Sequence, residues 1–187
     1  MSDAFSFMFA FYGLLLGLAL AELAAGFSRA YDERKRRRLG VIAPLFAVLL
    51  FIDLTTFWTN AWAYRDLKDV TYEVGFAVAI VAMLYYFAAT QVFPKVSETS
   101  DLDTHMMDHR RVVIVCVLLS NLITQIPQLI AYVTEPSPSW HILLWGGLNV
   151  GYYGLLLTAH FVRTTRAVGI AIGAAILYVA GATVVFG

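Results

Sequence analysis

The chain has 187 residues, 60% of them hydrophobic and only 14% charged, and its 13 basic and 13 acidic side chains cancel. Soluble domains carry roughly a quarter of their residues as charges, so this composition excludes an ordinary water-soluble fold, and zero net charge gives no reason to expect a nucleic-acid partner. The single cysteine, Cys116, rules out an intrachain disulfide and a cysteine-based metal cluster.

Mean hydropathy is +0.72. A helix needs about 20 mostly apolar residues to cross ~30 Å of hydrocarbon. Six segments meet that requirement, roughly 5–28, 39–64, 70–94, 110–133, 139–162 and 166–186. The first lacks a basic leader, and its apolar run continues past Ala25, so it reads as a span rather than a cleavable signal. "RKRRR" (34–38) separates it from the second, which ends near Arg65. Pro94 stops the third, and "TEPSPSW" (134–140) separates the fourth from the fifth. Ser100 and Asp103 resemble a capping box that starts the fourth helix ahead of its apolar stretch. A membrane barrel would need short alternating segments instead of these continuous blocks.

Eleven of the thirteen Lys and Arg residues fall in the first, third and fifth turns. Basic residues mark cytoplasmic loops. The expectation is an all-α, polytopic membrane protein of the bacterial inner (plasma) membrane. It is one transmembrane domain over 1–187, a six-helix bundle with both termini on the non-cytoplasmic side. Trp58, Trp62, Trp140 and Trp145 fall at the expected outer boundary, where amphipathic rings settle. The six-span layout and size are similar to those of small urea and amide channels, a likeness of architecture that carries over no pore residue.

Within the second span stands a carboxylate, Asp53. An Asp at a helix centre costs about 2.5–3.5 kcal/mol on insertion scales, so it must face protein or water. At 100° per residue Asp53, Thr56 and Asn60 share a face. Counting 1.5 Å per residue from the basic ends, Asp53, Gln125 and Asn149 all lie about 20 Å deep, with Asn121 one turn shallower than Gln125. Asn121, Thr124, Gln125 and Gln128 continue one polar face of the fourth helix. These positions predict a buried polar layer that is either a hydrogen-bonded lock between helices or part of a transport path. Glu22 and His160 lie nearer the basic end. A Glu22–His160 pair below Asp53 would make a proton half-channel, although Glu22 snorkelling to the basic turn accounts for it as simply.

Other chemistry is thinner. Asp101, His105, Asp108 and His109 share a helical face and are weak metal candidates, since no HExxH-type motif accompanies them. A haem held by His109 and His160 would need two histidines at matched depth on facing helices. No nucleophile elbow, P-loop or GxGxxG sequence occurs, so neither an enzyme nor a cofactor is expected. Arg34, Lys35, Arg36, Arg37 and Arg38 set topology and attract anionic lipid headgroups or an acidic partner. Small-residue stripes at Gly13, Gly17, Ala21 and Ala24, at Gly147, Gly151 and Gly154, and at Gly169 and Gly173 suit close helix packing. The leading expectation is therefore a non-catalytic membrane subunit or scaffold that packs on other membrane proteins or on its own copies. The alternative is a channel or transporter for protons, a cation or a small polar solute.

Overall fold

The structure, a computed structural model, describes residues 3–35, 38–62, 72–94, 101–134 and 139–186. Six helices follow in chain order: α1 Asp3–Asp32, α2 Ile42–Trp62, α3 Tyr72–Val92, α4 Leu102–Thr134, α5 Ser139–Phe161 and α6 Thr165–Phe186. A 3-10 turn at Glu33–Lys35 closes α1.

Among the described residues, α1, α2, α3, α4 and α6 are long and apolar enough to cross a membrane. α5 has 23 residues, enough in length to span. It packs between α6 and α4, so protein covers part of it. α4 begins at Leu102, two turns before the expected span, and reaches 33 residues. The bundle centres on α2, which touches α1, α3, α4 and α6. α3 lies between α1 and α4, and the α5–α6 pair closes the other side.

The basic turns meet at one end of the bundle. The Asp103 carboxylate on α4 accepts the backbone N–H of Val41 at 2.9 Å and of Ile42 at 2.8 Å, capping α2 from a different helix. These are orphan donors that a helix start must satisfy. Gly40 sits at φ +63° with its Cα against that carboxylate, where any Cβ would collide with Asp103. The expected capping box is corrected accordingly. Asp103 is used on α2, Asp101 accepts the N–H of Asp103 at 3.3 Å, and Ser100 lies outside the described residues. Arg110 donates to the carbonyl of Val162 at 2.9 Å, tying α4 to the α5–α6 turn.

Burial divides the molecule crosswise. Toward the basic end, side chains such as Phe46, Leu50, Tyr85, Ile114, Leu156 and Ile172 are sealed from solvent. Away from it, among the described side chains, burial stops on every helix, after Tyr12 on α1, Leu54 on α2, Val81 on α3, Ser120 on α4, Tyr152 on α5 and Ala175 on α6. Around the outside, Phe7, Leu14, Phe76, Met83, Leu122 and Leu177 face outward. An apolar exterior on this scale suits a lipid environment better than water.

Candidate functional site

Beyond the level where burial stops lies a cavity of about 650 Å³ whose wall takes residues from all six helices. That volume falls within the roughly 300–1,000 Å³ of small-molecule sites. Its contributors are the N-terminal parts of α1 and α3 and the C-terminal parts of α2, α4 and α6, with the middle of α5. On α1, α2, α3, α4 and α6 these are the portions away from the basic turns, so the hollow occupies the opposite half of the bundle. Three features keep it open. The Trp58 indole, tilted 41° against Phe9 with ring centroids 4.1 Å apart, lies against Gly13, where a Cβ would strike it. Pro127 lines the wall, and because it has no N–H, the carbonyl of Ile123, another lining residue, lacks its usual helical donor. The wall also includes three alanines, Ala61, Ala77 and Ala182.

Asp53 lines this cavity and is only 4% exposed. The Tyr152 hydroxyl from α5 donates to both carboxylate oxygens at 2.9 Å. Tyr85 from α3 donates to Oδ2 at 3.2 Å. Behind Tyr85, the Asn121 amide from α4 donates to the Tyr85 hydroxyl at 3.3 Å and to the Val117 carbonyl at 3.0 Å. Four helices therefore converge on one carboxylate. Such donors offset the desolvation that a buried carboxylate would otherwise suffer.

A second string laces α4 to α5. Gln125 donates to Asn149 at 2.8 Å, Asn149 donates to the Trp145 carbonyl at 2.8 Å, and the Trp145 indole donates to Gln128 at 2.8 Å. Gln125 Oε1 and the Tyr153 hydroxyl are buried without a hydrogen-bond partner.

The structure thus brings Asp53, Thr56, Asn60, Asn121, Gln125 and Asn149 to one cavity. Sequence reasoning missed Tyr85 and Tyr152. The available signal was that Tyr152 lies one turn beyond Asn149 on the same face, and that a mid-helix carboxylate needs hydrogen donors, which a phenol supplies.

Glu22 and His160 do not join this group, and the proposed half-channel is corrected. Glu22 pairs with Arg29 at 3.3 Å. It stands on α1, which packs on α3 and α2, whereas His160 stands on α5, which packs on α6 and α4. Between their level and Asp53 lie the sealed Phe46, Leu50 and Leu156. The His160 ring packs against Phe161, and its Nδ1 is buried without a partner.

At the basic end, the His105 and His109 rings stack 4.2 Å apart. His105 Nε2 contacts the Gln91 carbonyl and His109 Nδ1 the His105 carbonyl. Among the described residues no three His, Cys, Asp or Glu side chains are grouped to hold a metal. Asp101 is engaged by Asp103 and Thr104, and Asp108 is exposed. Of the basic run, Arg34 donates to the Tyr31 carbonyl and lies 3.8 Å over its ring, and the backbone of Arg38 pairs with that of Asp101. Lys35 ends the 3-10 turn, and Arg36 and Arg37 lie outside the described residues.

The small-residue stripes divide. Gly13 is packed under Trp58, Gly151 under Tyr178 and Gly169 near Ile42, whereas Gly17, Gly147, Gly154 and Gly173 have open space where a Cβ would stand. Compared with proteins already characterised, the chain matches no family model, no curated protein and no solved structure.

Proposed function

We propose that the chain is a multi-pass membrane protein that carries a small solute, with the cavity as its binding site and Asp53 as its polar anchor. In this reading the helices stand in a bacterial-type inner membrane, the basic turns face the cytoplasm, and both termini and the cavity face the opposite side. The observation that carries it is the chamber lined by all six helices, with a hydrogen-bonded carboxylate at its base. Transporter sites lie near mid-membrane at the junction of helices and are closed toward one side at a time. A hollow half above a sealed half suits one such state. The function does not call on Glu22, His160 or the histidine pair at the basic end.

Purified protein in liposomes tests the reading against a panel of small amides, polyols and amines. The expected result is saturable uptake of at least one class, lost in Asp53→Asn. Absence of uptake for every class would contradict it.

One observation favours a subunit or scaffold role alongside transport. On α1, Gly17, Ala21 and Ala24 are exposed on the outside of the bundle, a small-residue face of the kind on which membrane helices pair. Crosslinking through Ala21→Cys in a Cys116→Ser background reports on it. A disulfide dimer or a crosslinked partner supports the pairing, and a monomer under the same oxidation argues against it.

A further inference from the structure

The chemistry of the cavity narrows its ligand, given that the cavity is the solute site. Among the described residues that line it, Asp53 is the only one that carries a charge at neutral pH, and no Lys, Arg or His stands on the wall. Each carboxylate oxygen offers two lone-pair directions. Tyr152 shares its one proton between Oδ1 and Oδ2, and Tyr85 gives one to Oδ2. Two donors thus meet four acceptor directions, and Oδ1 is the less occupied oxygen. Both N–H groups of Asn121 are engaged, by Tyr85 and Val117, while Gln125 and Asn149 each have one committed, to Asn149 and to the Trp145 carbonyl. Gln125 Oε1, also on the wall, is a second acceptor without a donor. What the chamber lacks, among the described residues, is positive charge.

The rest of the wall specifies the remainder of the ligand. Phe9, Tyr12, Phe57, Tyr152 and Tyr178 present rings to the same space, and aromatic faces attract cations as well as apolar groups. A bare metal ion fits less well. Hard cations take six or more oxygen ligands, but Asn121 turns its N–H₂ toward the site, and the phenol protons already point at Asp53. A volume of about 650 Å³ also far exceeds what an ion with a few waters needs. A carboxylate left alone in a poorly hydrated chamber is costly, and a cation of fitting shape removes that cost.

We infer that the solute is a protonated primary or secondary amine with an apolar, ring-sized body, its ammonium on Asp53 Oδ1 and its body against the aromatic wall. Three compounds of one shape and different charge test this: 2-phenylethylamine, 2-phenylethanol and phenylacetate. Equilibrium dialysis against the purified protein in nanodiscs, with empty nanodiscs subtracted, reads their binding. The expected result is saturable binding of the amine at least tenfold tighter than the alcohol, no binding of phenylacetate, and at least a tenfold loss of amine affinity in Asp53→Asn. Equal binding of amine and alcohol, or an Asp53→Asn protein that binds the amine as well as wild type, would overturn the amine assignment and leave the cavity as a solute site. Binding of none of the three would overturn both. The comparison of the three compounds uses the wild-type chain, so it decides the matter even where Asp53→Asn does not fold.

Discussion

The two halves of this bundle are built from the same six helices and obey different rules. Toward the basic turns, large apolar side chains interlock, and Phe46, Leu50 and Leu156 have no exposed surface to speak of. Away from those turns the same helices stand apart around a chamber, and the polar side chains gather at its edge. Stability and specificity are thereby separated along the bundle axis. The sealed half holds the helices in register, and the hollow half is left free to receive something. Asp53 sits at the boundary, where the packed half supplies Tyr85 and the hollow half supplies access.

Core truncations should break this comparison most sharply. Phe46→Ala in the sealed half is expected to cost about 3 kcal/mol, because the void left by a buried ring is not refilled. Val78→Ala on the chamber wall should cost under about 1 kcal/mol, since its side chain borders space already empty. Steric-trap unfolding in bicelles measures both, and similar losses would erase the distinction between the halves.

Next in size is the clamp at the basic end. Gly40→Ala forces an L-residue into φ +63° and into the Asp103 carboxylate, at an expected cost of about 2 kcal/mol. Asp103→Ala removes the cap on α2 at about 1 kcal/mol. The double variant should lose less than the sum, because Gly40→Ala already displaces the carboxylate. Strict additivity in the same unfolding assay would mean that the two residues do not act together.

The tyrosines on Asp53 rank below that. Tyr152→Phe removes a donor to both oxygens and Tyr85→Phe a longer bond to one. Hydrogen bonds between membrane helices are worth about 0.6 kcal/mol on average and up to about 1.7 kcal/mol. Tyr152→Phe should fall near the upper figure and Tyr85→Phe near the lower, and the reverse order would argue that the Asn121–Tyr85 arm is the principal support.

The smallest effect is expected at Glu22. Its pair with Arg29 is partly exposed, so Glu22→Gln should change stability by under about 0.5 kcal/mol and leave liposome uptake unchanged. A large loss of uptake would restore a polar route through the sealed half.

Much of this was legible in the sequence, and the parts that were not share a cause. Hydropathy and the placement of Lys and Arg depend on one coordinate, depth, so the helices and their basic turns could be read directly, as could the shared level of Asp53, Asn121, Gln125 and Asn149. Depth alone says nothing of which helices are neighbours. Glu22 and His160 matched in depth and were paired on that basis, yet α1 and α5 each pack chiefly on other helices. Asp103 read as a cap for its own helix, and only the fold brings it to α2, 61 residues back at Ile42. Tyr85 and Tyr152 read as aromatics because a phenol declares itself as a donor only beside its acceptor. The chamber itself was illegible, since a hollow is the sum of side-chain volumes on six helices at once.

The most direct test of the central claim is a cysteine scan along α2 from Phe46 to Asn60 in a Cys116→Ser background, read as the rate of labelling by a charged, membrane-impermeant thiol reagent. The account predicts rapid labelling of Asn60→Cys and Thr56→Cys from the face that bears the termini, falling steeply at Leu50→Cys and Phe46→Cys. A flat profile, or faster labelling of the positions on the basic side of Asp53, would contradict it.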